Sequence, residues 1–194
     1  MPLPDRSDYI YRKWTSSSAA VSVYARAPGP SRRDHAAMSA LAAILGGGEG
    51  SRLWRLLRTE KGMVYGVSST VSLAKKCAVL RIDSECDASN AASVAGILAD
   101  EIDAAVRRPP DPDELARAKR HLLGNHIIGM QNNKNAAILM GLYEIMDAGS
   151  GPQAQAFMEQ ALTALTPEDV HNVAARYLSR CLIVQVGGRR DPLR

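Results

Sequence analysis

Arg58 and Tyr65 are the side chains of this sequence whose types and spacing could place two hydrogen-bond donors on one acceptor. Both lie in the string Leu57-Arg58-Thr59-Glu60-Lys61-Gly62-Met63-Val64-Tyr65-Gly66. A guanidinium donates through its N–H groups and a phenol through its O–H. The stretch before them, Leu45-Gly46-Gly47-Gly48-Glu49-Gly50-Ser51-Arg52-Leu53, adds a glycine bend and the start of a short basic helix. Together the bend, the helix and a tyrosine-bearing strand start could aim both groups at the same point. The two residues also allow a plainer account. Arg58 could be a solvated helix arginine with Glu60 and Lys61 nearby, and Tyr65 a core aromatic with its hydroxyl at the surface. Arg52 and Arg55 read as solvated.

Other residue types exclude more than they suggest. The glycine turn lacks the Lys-Ser/Thr of a phosphate loop and reads as a helix terminator. His121 and His126 are separated by about 140° around a helix, so they cannot share one metal on a helix face. Cys77, Cys86 and Cys181 are odd in number and lack Cys-x-x-Cys spacing, which points to buried thiols in a reducing compartment. The net charge of +4 comes without dense Lys/Arg clustering, so nucleic-acid binding is not expected. No stretch has membrane-spanning length and no apolar run follows the amino terminus, giving the expectation of no membrane span and a cytoplasmic location.

The elements that must carry Arg58 and Tyr65 follow from periodicity. With 194 residues, 46% of them hydrophobic and 5% aromatic, the chain can build a core mainly of Ala, Leu, Val, Ile and Met. Tyr9 to Trp14 and Ala20 to Ala27 predict two strands joined by the serine turn at Ser16 to Ser18. A helix capped at Ser31 or Asp34 runs to Leu45 and ends at Gly46 to Gly48. Ser51 caps a short helix to about Lys61, with Leu53, Leu56 and Leu57 inside and Gly62 closing it. Val64 to Leu73 and Cys77 to Cys86 form an antiparallel hairpin across Ala74-Lys75-Lys76. A helix spans Asn90 to Arg107, and Asp111-Pro112 starts another that continues, kinked at Gly124 and Gly129, to about Asp147. Met140 and Tyr143 read as core. Helices over Gln153 to Leu162 and from the Thr166 cap to Leu178 precede a last strand, Cys181 to Val186. This order predicts an α+β fold, with helices packed on one side of a largely antiparallel sheet. It forms one domain over 1–194, with its core at about 9–188 and a frayed tail at 189–194.

The motifs and their order resemble one repeat domain of the pitrilysin/insulinase class of zinc metallopeptidases, which includes the mitochondrial processing peptidases. Three pieces carry the likeness: the glycine-turn string, Asp113-Glu114-Leu115-Ala116-Arg117-Ala118-Lys119, and Leu165-Thr166-Pro167-Glu168-Asp169-Val170 with Ala174-Ala175-Arg176-Tyr177-Leu178. Active domains of the class carry His-x-x-Glu-His, with the Glu as general base. Here His35 is followed by Ala36-Ala37-Met38-Ser39 and His171 by Asn172-Val173-Ala174-Ala175, so the likeness is to the second, non-zinc domain. The glycine turn is also shorter than the extended glycine loop of the processing-peptidase α-subunit.

The resemblance implies a processing-peptidase-like domain that closes a chamber around a peptide substrate. It implies that Arg58 and Tyr65 donate hydrogen bonds to the substrate carbonyl as it becomes an oxyanion. No cofactor is expected on this chain. Zn is expected on a partner subunit carrying His-x-x-Glu-His, in a heterodimer or higher assembly. The alternative is a non-catalytic assembly or peptide-binding protein that kept the fold, as core subunits of some respiratory complexes did. A third reading is a self-sufficient enzyme with an unconventional metal site.

Overall fold

Apolar alternation in the strands sets one face of the sheet. In a computed structural model, which describes residues 8–28, 32–74, 77–146 and 154–189, Val21, Val23, Ala25 and Ala27 of one strand all point inward. Strands β1 (Asp8–Arg12), β2 (Ser18–Ala27), β3 (Val64–Ala74), β4 (Cys77–Asp87) and β5 (Cys181–Val186) form a single sheet, ordered β1-β5-β2-β4-β3. Only β1 and β5 pair in parallel; the other three pairings are antiparallel.

Helices α1 (Arg32–Gly46), α2 (Ala91–Arg107) and α6 (Pro167–Tyr177) cover the apolar face through Met38, Leu45, Val94, Leu98, Ile102 and Val170. Helices α3 (Pro112–Met130) and α5 (Ala154–Ala164) pack against α1, and α4 (Asn133–Met146) against α3 and α5. The predicted α+β architecture is therefore the one observed. Two helix starts form as their caps dictate. Asp111 accepts the Asp113 N–H at 2.8 Å and Glu114 returns a carboxylate to the Asp111 N–H at 3.1 Å. Thr166 and Asp169 exchange the same kind of bonds at 3.2 and 2.9 Å.

Three expectations are corrected. The serine turn does not make a β1–β2 hairpin, because β5 lies between them, with Asp8 opposite Leu182 and Ser22 opposite Val184. β5 buries alternate residues, and Gln185 is wholly enclosed, accepting the Tyr9 hydroxyl and donating to the Gly187 carbonyl at 2.9 Å. Such a strand belongs in the sheet interior, whereas the half-exposed β1 suits an edge. The long helix after Pro112 is two helices, broken where Asn132 Oδ1 caps the second by accepting the Lys134 N–H at 2.9 Å. Met140, expected in the core, is 38% exposed, while the Tyr143 side chain lies outside the described residues, as does most of the expected tail. No helix among the described residues is long and apolar enough to cross a membrane.

Gly46 matters to the placement of β3. A Cβ there would stand 2.8 Å from the Ser69 backbone nitrogen and 3.0 Å from the Ser68 carbonyl carbon. Backbone cannot step aside as a side-chain tip can, so Gly46→Ala is expected to lose about 1–3 kcal/mol of stability by overpacking. Urea denaturation checks this; an unchanged midpoint would show that α1 does not need its close approach to β3.

Candidate functional site

Leu53 and Leu57 are fully buried, and they anchor a short helical turn that the sequence reads as ordinary α-helix. Over Trp54–Glu60 its hydrogen bonds instead skip one residue further, in the wider π pitch, as where the Lys61 N–H reaches the Leu56 carbonyl at 3.1 Å. π-turns of this kind are concentrated at functional sites. Ser51 does not cap the turn, since its hydroxyl donates to the Gly48 carbonyl at 2.6 Å. Gly62 closes it as expected, with φ of +60°, and lets the Met63 N–H reach the Leu57 carbonyl at 2.8 Å. Arg58 leaves this turn on the exposed side, and its Nη1 donates to the Val64 carbonyl at 3.0 Å. The head of Arg58 is thus fixed beside the residue that precedes Tyr65.

Tyr65 is the extra residue of a β-bulge. Val64 pairs with Cys86 and Gly66 with Glu85, so Tyr65 has no partner on β4. A bulge bends its strand and re-aims the side chain it carries. Tyr65 is accordingly 58% exposed, which excludes the core-aromatic account, and its hydroxyl donates to Asp87 Oδ1 at 2.5 Å. That hydrogen bond, followed by the carboxylate's charge, raises the phenol above its ordinary pKa and keeps it protonated.

The β4–α2 junction supplies two residues that sequence reasoning missed, Asp87 and Asn90. The Asn90 amide donates to the Met63 carbonyl at 3.3 Å and its backbone N–H to the Asp87 carbonyl at 2.9 Å. Only the strand register, not any local motif, announces them. A groove of about 310 Å³ is bounded by Trp54, Gly66, Ser68, Asp83 and Glu85, further along β3 and β4.

With this geometry in hand, comparison with known proteins is decisive at the family level. A family model described as the peptidase M16 inactive domain matches residues 3–122. The chain belongs to the peptidase M16 family. An uncharacterized zinc protease of Streptomyces coelicolor is 31% identical over 156 residues, covering 79% of this chain and 33% of that protein. A crystal structure of an M16 inactive domain from Pseudomonas fluorescens superposes with a TM-score of 0.76 at 24% identity, over 97% of this chain and 45% of that one. A chain of Complex III2 from Candida albicans gives 0.79 at 14% identity, over 97% and 47%. At those identities the two structures share the fold. This M16 chain spans about a third of the length of the Streptomyces relative.

Other polar residues of the M16 domain are tied into the scaffold or stand apart from this site. Arg52, read as solvated, is in fact clamped: Nε and Nη2 donate to the two Glu114 oxygens at 2.8 and 2.6 Å, so π-turn and α3 are tied together. That hydrogen-bonded pairing raises the guanidinium's pKa and lowers the carboxyl's. Arg55 stays exposed, 3.5 Å from Glu60. The histidines do not converge. His35 is buried with Nδ1 unpartnered, and burial lowers its pKa; His121 contacts Asn125, and His171 the Val106 carbonyl. Among the described residues no three His, Cys, Asp or Glu side chains could hold a metal ion together. Cys86 and Cys181 are buried, as expected of the thiols, and burial pushes Cys86 up to about 11.

Proposed function

We propose that this chain is the non-zinc subunit of a two-part M16 peptidase, closing a chamber around a peptide and presenting Arg58 and Tyr65 to the scissile carbonyl. The observation that carries this reading is their shared location: Arg58 is held on the Val64 carbonyl, and Tyr65 is thrown outward by the bulge one residue later. The zinc belongs to a partner subunit bearing His-x-x-Glu-His. A guanidinium has five N–H donors, so one spent on Val64 leaves others for a substrate oxygen. Arg58 is held by backbone before the substrate arrives and keeps donors unspent, whereas the Tyr65 phenol must first turn from Asp87; donors aimed at the oxygen as negative charge develops there lower the barrier.

Co-expression with a candidate zinc subunit bearing His-x-x-Glu-His, followed by peptide cleavage assays, tests the reading. Tyr65→Phe keeps the ring and loses the donor; turnover is expected to fall about 10²-fold with little change in KM. Unaltered turnover would remove Tyr65 from the reaction. A stable complex that cleaves no peptide would point instead to an assembly role.

A further inference from the structure

Asp87 is the charged residue at this site that the proposed chemistry leaves unused. It ends β4, its backbone paired opposite Ser18 of β2, and its carbonyl accepts the Asn90 N–H at the turn into α2. The carboxylate is therefore mounted on fixed backbone. Tyr65, by contrast, sits on a bulge and is more than half exposed, and its hydroxyl is bonded to Asp87. A phenol has a single proton to donate. In this structure that proton is already spent on Asp87 Oδ1, at 2.5 Å.

We propose that Asp87 is a positioning residue that latches Tyr65 in a resting state, and that engaging a peptide requires the phenol to exchange Asp87 for the substrate oxygen. The inference rests on the role given to Tyr65 above. No covalent bond breaks in the exchange: the proton stays on Tyr65 Oη, the hydrogen bond to Asp87 breaks and one to the substrate oxygen forms. Bonds to a carboxylate are about twice as strong as bonds between neutral partners. A neutral peptide carbonyl therefore competes poorly with Asp87 for the phenol, and a developing oxyanion wins it only at the cost of the bond to Asp87. The latch thus holds back part of what Tyr65 could contribute, until Asp87 is neutralised or drawn aside. Arg58 is under no such restraint, because its bond to Val64 leaves other donors unspent.

Asp87→Asn is the decisive variant, since it keeps the shape and an acceptor oxygen but removes the charge at an exposed strand end. Two measurements separate the latch from the role of Tyr65 itself. First, ultraviolet titration of this chain alone, with Tyr65→Phe as the blank, should show the Tyr65 phenol ionising at lower pH in Asp87→Asn than in the parent. An unmoved phenol overturns the latch and leaves the role of Tyr65 standing. Second, in the complex with a zinc subunit, Asp87→Asn should raise kcat several-fold, up to about tenfold. It should change nothing in the Tyr65→Phe background. A kcat that is unchanged or falls while the phenol does shift overturns the latch. Full activity of Tyr65→Phe by itself would overturn the Tyr65 reading, and the latch with it.

Discussion

Arg58→Ala in the assembled peptidase is expected to lower kcat about 10²–10³-fold, the loss typical when one fixed donor to a developing oxyanion is removed. The argument is one of placement. The guanidinium is exposed, yet it is not free to wander, because Nη1 is bonded to the Val64 carbonyl at the foot of the bulge that carries Tyr65. Stability should change far less than activity. The substitution removes one surface hydrogen bond, worth about 0.5–1.5 kcal/mol, and no buried group. Arg58→Lys is the informative companion. An ammonium on a flexible stem cannot both hold the Val64 carbonyl and present a planar set of further donors, so lysine should restore only part of the turnover. Steady-state kinetics of both variants beside their thermal unfolding checks this. Full turnover in Arg58→Ala, with the complex intact, would reduce Arg58 to a strand-end clip.

What the sequence disclosed and what it hid divide by the range of the interactions. The β3–β4 hairpin, α2 and the caps at Asp111 and Thr166 were legible because each is signalled within a few residues. The position of β5 between β1 and β2 was not, since the Asp8–Leu182 and Ser22–Val184 pairings join distant parts of the chain. Arg58 and Tyr65 could be singled out from their string, but not their surroundings. Apolar spacing at Leu53 and Leu57 suits an α-turn as well as the π-turn that forms. Asp87 reaches Tyr65 only because an extra residue on β3 shifts the register after Val64. Arg52 looked solvated because its partner, Glu114, lies on another helix.

Leu57→Ala is the second large expected effect, and it reaches the same site from beneath. Leu57 has no exposed surface and is the last fully buried side chain before Arg58. Truncating a buried leucine costs about 2–5 kcal/mol, from lost transfer energy and the cavity left behind. Against a total stability of about 5–15 kcal/mol, that removes a large share of the folded population's margin. The urea midpoint should fall with the slope unchanged. Activity should fall too, although no donor is altered. Leu57 packs the π-turn whose carbonyl receives the Met63 N–H, and a cavity there lets Arg58 and the start of β3 relax away from each other. Leu57→Met, close in volume, should cost less than about 1.5 kcal/mol and keep most of the turnover. The two substitutions at neighbouring residues therefore have opposite signatures: Arg58→Ala spares the fold and slows the chemistry, whereas Leu57→Ala weakens the fold and loses chemistry only as the turn loosens. A stability loss below about 1 kcal/mol in Leu57→Ala would mean that the π-turn is not held by its buried leucines, and that the aim of Arg58 is set by the Val64 bond alone.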